Sequence, residues 1–85
     1  RSVFEGADLT GATLRLSNIA RARFAGANMS GTDLTSAFMY ATRFEGTDLS
    51  NVKGLTQAQI DVACGDAKTR LPASLKRPTA WPCAE

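Results

Sequence analysis

FEGADLTGATL at residues 4–14, FAGANMSGTDL at 24–34 and FEGTDLSN at 44–51 are nearly one phrase written three times, each twenty residues after the last. Inside that spacing runs a shorter one. Every fifth residue from Phe4 is large and apolar: Phe4, Leu9, Leu14, Ile19, Phe24, Met29, Leu34, Met39, Phe44 and Leu49. Two positions earlier, the file Ser2, Ala7, Ala12, Ser17, Ala22, Ala27, Thr32, Ala37, Thr42, Thr47 holds only small residues. A period of five matches neither the 3.6 of a helix nor the 2.0 of a strand, and the heptads of a coiled coil are absent. It fits a chain that turns a corner every five residues and points one large and one small side chain inward from each side.

The longer period says how many sides there are. Phe recurs in the large file only at 4, 24 and 44, each followed two residues on by Gly. Coils of four five-residue units place Phe4, Phe24 and Phe44 over one another as a core stack, where offset aromatic contacts add about 0.5–1.5 kcal/mol beyond burial. Through the units ADLTG, ATLRL, ANMSG, TDLTS and TDLSN the chain resembles the pentapeptide-repeat family, whose units read A(D/N)LXX. The resemblance covers residues 2–53. It implies an all-β fold, a right-handed quadrilateral parallel β-helix (a pentapeptide-repeat solenoid), here of about two and a half coils.

Residues 1–53 are therefore expected to form the β-helix, and 54–85 a short C-terminal α-helical cap with an irregular tail, all in one domain. The phase stops at Gly54, where a large residue is due. In LTQAQIDVACG, Thr56 and Gln59 have the spacing of a capping box and Leu55 and Ile60 that of a hydrophobic staple. Ile60, Ala63 and Cys64 share a stripe, and Gly65 is placed to end a helix over 56–64. The tail, 66–85, holds all three prolines. Leu71, Leu75 and Trp81 are expected to fold it back against the helix or a side of the tube.

Cys64 and Cys83 are the only cysteines. Two readings stand: a disulfide closing a loop of about 20 residues, contributing roughly 3 kcal/mol, or two separate thiols. The disulfide favours an extracytoplasmic, oxidising compartment such as the periplasm. Two cysteines and no histidine do not make an ordinary zinc site, so no metal or other cofactor is expected. Arg1 in place of an initiator Met points to a trimmed chain, with a leader or upstream coils removed. No apolar run reaches the roughly 18 residues of a membrane span.

Ten basic against eight acidic residues leave +2, with six against five before Gly54 and four against three after it. That balance argues against nucleic acid or a membrane surface as partner. It also weakens the alternative that the resemblance brings, a DNA mimic modulating an enzyme such as gyrase. Such proteins are longer, dimeric tubes with strongly acidic walls. Catalysis is not expected: there is no histidine, nucleophile elbow, phosphate-binding glycine motif or carboxylate dyad. Asp61 and Asp66 beside Cys64 are explained by helix polarity and a disulfide. Asp8, Asn28 and Asp48 form an outward column suited to local turn hydrogen bonds. Arg23 and Arg43, flanked by Glu5 and Glu45, read as solvated ion pairs.

The outward face of the fourth side is different. Phe38 and Tyr40 flank the inward Met39, and Leu16 stands at a neighbouring corner one coil below. These three form a candidate interaction patch, open to cover by the tail through Leu75 or Trp81, to another chain, or to solvent. The first coil presents unpaired backbone, an edge that invites another strand. Upstream coils or a second copy would satisfy it. The function expected is a non-catalytic structural or protein-interaction module with a protein partner. A homodimer through the N-terminal edge or the aromatic side is the simplest closed assembly.

Overall fold

A computed structural model describes residues 2–83 of the chain. Its pairing follows the period of twenty. Parallel single-residue bridges join Val3 to Arg23, Asp8 to Asn28, Thr13 to Asp33 and Asn18 to Phe38, then Arg23 to Arg43, Asn28 to Asp48 and Asp33 to Lys53. Between bridges the chain turns. The carbonyl of each large residue accepts the amide of the small residue three later, from Ala7 N–H to Phe4 (2.9 Å) through to Val52 N–H to Leu49 (3.3 Å). A corner every five residues leaves room for one bridging residue per side, so no continuous strand or sheet forms among the described residues. Among those residues the only regular element is a short helix.

The large file lies inside. Phe24, Met29, Leu34, Met39, Phe44 and Leu49 are fully buried. Phe4, Leu9 and Leu14 are half-buried against them, because the first layer has the core on one side only. The phenylalanines stack as expected, with ring centroids 4.9 Å apart for Phe4–Phe24 and 5.2 Å for Phe24–Phe44. Where the small file carries Thr, its buried hydroxyl donates to the carbonyl of a large residue one layer back. Thr32 reaches Leu9 (2.8 Å), Thr42 reaches Ile19 (2.8 Å) and Thr47 reaches Phe24 (2.9 Å). Each such carbonyl also closes its own turn, so both acceptor sites are used.

The C-terminal segment begins with a close approach. At Gly54 (φ +75°) an added Cβ would lie 2.8 Å from the Thr35 Cα, so the large residue that the phase calls for has no space there. Helix α1, Gln57–Val62, follows with the expected capping box at Thr56. Gln59 does double duty. Its Oε1 accepts the Thr56 amide (2.8 Å), while its Nε2 donates to the carbonyls of Leu34 (2.9 Å) and Ala37 (3.0 Å). It thus ties the helix start to the layer beneath. Ile60 is buried in the core, with Leu55 packed at its margin.

Three expectations need correcting. The helix ends at Val62 rather than Cys64, with Ala63 already extended, because the chain rejoins the parallel pairing. Cys64 bridges Arg43 and Arg70 bridges Asp48. The stretch 63–71 is therefore a further partial layer and not irregular tail. Thr69 repeats the threonine pattern by donating to the Phe44 carbonyl (2.8 Å). Gly65 is not a helix terminator. The register of Cys64 over Arg43 puts it in the Phe column above Phe44, where an added Cβ would meet the Trp81 ring at 2.5 Å. Trp81 fills that position from the tail. It is 8% exposed and donates its indole N–H to the Ala63 carbonyl (2.9 Å). Cys64 and Cys83 form a disulfide. Arg77 donates to the Ala67 (3.2 Å) and Thr69 (3.0 Å) carbonyls, and Lys76 and Gln57 exchange two hydrogen bonds of 2.8 Å.

Candidate functional site

The fourth column, Asn18 with Phe38 bridged above it, gathers most of the exposed large apolar side chains, Val3 in the first layer of the Phe column being the exception. Leu16 is 74% exposed, Phe38 57% and Tyr40 50%, and Val62 at the end of α1 is exposed as well. The tail leaves them uncovered, since Trp81 is committed to the slot above Gly65 and Leu75 packs against the core cluster. Solvent or another molecule is what remains for this face. The Arg21 guanidinium lies 5.3 Å from the centre of the Tyr40 ring, a cation–π distance that holds the ring in place.

The backbone at its corners sets this column apart. A turn closed by an i+3 to i hydrogen bond with positive φ at its third residue is the type II pattern, which favours Gly there. The corners between the first and second columns use Gly6, Gly26 and Gly46, and those between the second and third use Gly11 and Gly31, with φ between +64° and +73°. On both sides of the fourth column the same conformation is held by side-chain-bearing residues: Leu16 (+59°), Ser36 (+57°), Arg21 (+62°) and Ala41 (+57°). A non-glycine residue there costs roughly 1–2 kcal/mol. In return, Leu16 and Arg21 project from the two corners that bound this face. The structure sets Arg21 against Tyr40, whereas the sequence alone scatters it with Arg15 and Lys53 away from the patch and gives Val62 no part in it. The contrast of Gly at 6, 11, 26, 31 and 46 with Leu, Arg, Ser and Ala at 16, 21, 36 and 41 was legible there as the signal.

Several of the other polar groups are engaged in local hydrogen bonds. Asp8 accepts the Thr10 amide (3.0 Å) and hydroxyl (2.6 Å), Asp33 does the same with Thr35, and Asp48 with Ser50. Those hydroxyl bonds first, then the amides, hold the three carboxyls below the usual carboxylate range. Asp66 is held low chiefly by the Gly46 amide, at 3.1 Å. Asn28 accepts the Ser30 amide at 3.1 Å. The Asp8, Asn28, Asp48 column is thus built of turn hydrogen bonds. Arg43 pairs with Glu45 (3.0 Å) and Arg15 with Asp33 (3.7 Å). Asp61 accepts from Gln57 (3.0 Å). Among the described residues no cluster of three or more His, Cys, Asp or Glu is arranged to hold a metal ion, and no helix is long and apolar enough to cross a membrane.

What this geometry offers is a firm, mostly apolar surface with one cation at its edge, suited to docking. No curated protein matches the chain. Residues 14–52 match the family model of pentapeptide repeats, in 8 copies, and the bridges and turns of residues 2–13 continue the same pattern. Over residues 14–52 the chain is a run of pentapeptide repeats.

Proposed function

We propose that this protein is a rigid, non-catalytic interaction module. Its repeats wind as a right-handed quadrilateral β-helix over residues 1–53, closed at the C-terminal end by residues 54–85. Its outward fourth side, centred on Phe38 and Tyr40 with Leu16 at the corner, docks a protein. The observation that carries this reading is the pairing of exposed apolar side chains with left-handed corners on both sides of one face. Strain of that kind persists where the surrounding structure holds it in place, and it clusters at functional positions. Exposed aromatics held by a stiff backbone lose little side-chain entropy on binding. The disulfide favours an oxidising compartment. The DNA-mimic reading fits less well, because +2 lacks the acidic surplus that imitation of a polyanion requires.

The first partner to test is a second copy. Sedimentation of the wild type over a wide concentration range, beside Phe38→Glu/Tyr40→Glu, separates the cases. A dimer lost in the variant, with unchanged thermal stability, supports the aromatic side as the contact. A dimer that persists moves the contact to the N-terminal edge and refutes this assignment. A monomer throughout removes self-association, and the docking reading then stands on a foreign protein.

A further inference from the structure

At the C-terminal end of the Phe column, beside that face, three observations converge on one residue. In the Phe4, Phe24, Phe44 column the next position belongs to Gly65, by the register of Cys64 over Arg43 and the Phe44 amide on the Cys64 carbonyl (2.8 Å). Gly65 is buried and has no side chain to fill its place. The Trp81 ring occupies the space instead, at 2.5 and 2.8 Å from where a Cβ would stand. Two residues beyond Trp81, Cys83 is bonded to Cys64, the immediate neighbour of Gly65.

We propose that the space over Gly65 is a binding socket for an aromatic side chain, filled in cis by Trp81, and that the Cys64–Cys83 disulfide is the latch that keeps it filled. The remaining side-chain anchors of the tail lie upstream, at Lys76 on Gln57 and Arg77 on the Ala67 and Thr69 carbonyls. With the disulfide open, what ties residues 78–83 to the rest of the fold is non-covalent: the buried Trp81 ring with its indole hydrogen bond, and Cys83, packed at the core margin with its sulfur 3.9 Å from the Ala63 carbonyl. The latch opens by thiol–disulfide exchange. A dithiol reductant attacks the half-buried Cys83 sulfur, the Cys64 thiolate leaves and takes a proton, and the second thiol of the reductant frees Cys83 as it closes its own disulfide. Two electrons and two protons pass to the protein. Losing a closed loop of about 20 residues raises the open population of the tail on the order of a hundredfold. The socket then accepts an indole or phenyl group from elsewhere, over the exposed end of the Phe stack.

Trp81 is the only tryptophan, so its fluorescence reports its own position. On full reduction by a phosphine, verified by labelling two thiols, we expect a red-shifted emission and stronger acrylamide quenching, with the far-ultraviolet circular dichroism retained. An unshifted emission, or collapse of the whole fold, overturns the latch. For the socket, 5-fluoroindole is the probe, followed by fluorine NMR. Saturable line broadening is expected with oxidised Trp81→Ala and with the reduced wild type, and none with the oxidised wild type. Absence of binding to the folded Trp81→Ala protein, or equal binding to the oxidised wild type, overturns the socket. Should Trp81→Ala fail to fold, the two redox states of the wild type decide alone.

Discussion

Exchanging glycine and non-glycine residues at the corners isolates one term of this fold's stability. At Gly26 (φ +72°) an added Cβ would meet nothing within 4 Å, so Gly26→Ala introduces no clash and changes only the backbone energy. Placing an L-residue in the left-handed region costs roughly 1–2 kcal/mol. The smaller freedom of the unfolded alanine chain returns about 0.4–1 kcal/mol. A net loss of about 1 kcal/mol follows. Ser36→Gly runs the same cycle backwards. Ser36 is exposed at φ +57°, so the substitution is expected to stabilise by about 1 kcal/mol. For a domain of this size each change shifts the melting temperature by roughly 4–8 °C in opposite directions. Gly54→Ala supplies the steric extreme, because its Cβ would come 2.8 Å from the Thr35 Cα, and its loss is expected to be at least twice that of Gly26→Ala. Thermal melts, with urea titrations to check for a constant slope, provide the measurement. A neutral Gly26→Ala together with a destabilising Ser36→Gly would falsify the assignment of strain to the corners of the fourth side.

Three further outcomes are expected. Thr47→Val keeps the volume but removes the donor to the Phe24 carbonyl, which retains its turn bond from Ala27 at 2.8 Å. Urea unfolding is expected to show a loss of about 1 kcal/mol, and no loss would mean that the turn bond alone satisfies that carbonyl. Gln59→Ala removes half of the capping box and the bonds to Leu34 and Ala37. A cost of about 1–3 kcal/mol is expected, with faster amide exchange in α1 and at Gly54–Thr56 than in the buried layers. The third outcome concerns acid. Asp8, Asp33, Asp48 and Asp66 all have native values below the ordinary one. The unfolded chain therefore takes up protons first as the pH falls, and the contribution of these groups is complete above about pH 5. It is lost as the pH drops through the depressed native values. Melting temperatures between pH 2 and pH 6 should be flat at the top and decline below about pH 4, and Asp48→Asn should make the decline shallower.

The socket and the docking face are at different places and answer to different tests. A protein whose aromatic side binds nothing would still release Trp81 on reduction, and a permanently latched tail would still leave Phe38 and Tyr40 exposed. Both features trade on stiffness. Parallel pairing at every fifth residue and buried threonine bonds hold the layers in register, so side chains on the surface keep fixed positions relative to one another.

Residues 2–53 were readable because their pattern is local. Large and small residues alternate in phase with turns that each span four residues, so which side chains point inward follows from position alone. The capping box at Thr56 and Gln59 is equally local, and it was visible for the same reason. The Phe stack followed from period once four sides were assumed. What only the tertiary structure decided lies where one stretch meets another distant in sequence. Gly65 reads locally as a helix terminator; it becomes a member of the Phe column only because Cys64 finds Arg43 across 21 residues of chain. Trp81 and Leu75 were equally free, on sequence grounds, to cover Phe38 and Tyr40. The vacancy at Gly65, which a large apolar ring fills at a gain in burial, and the pull of the Cys64–Cys83 bond sent Trp81 to the end of the stack and left the fourth side bare.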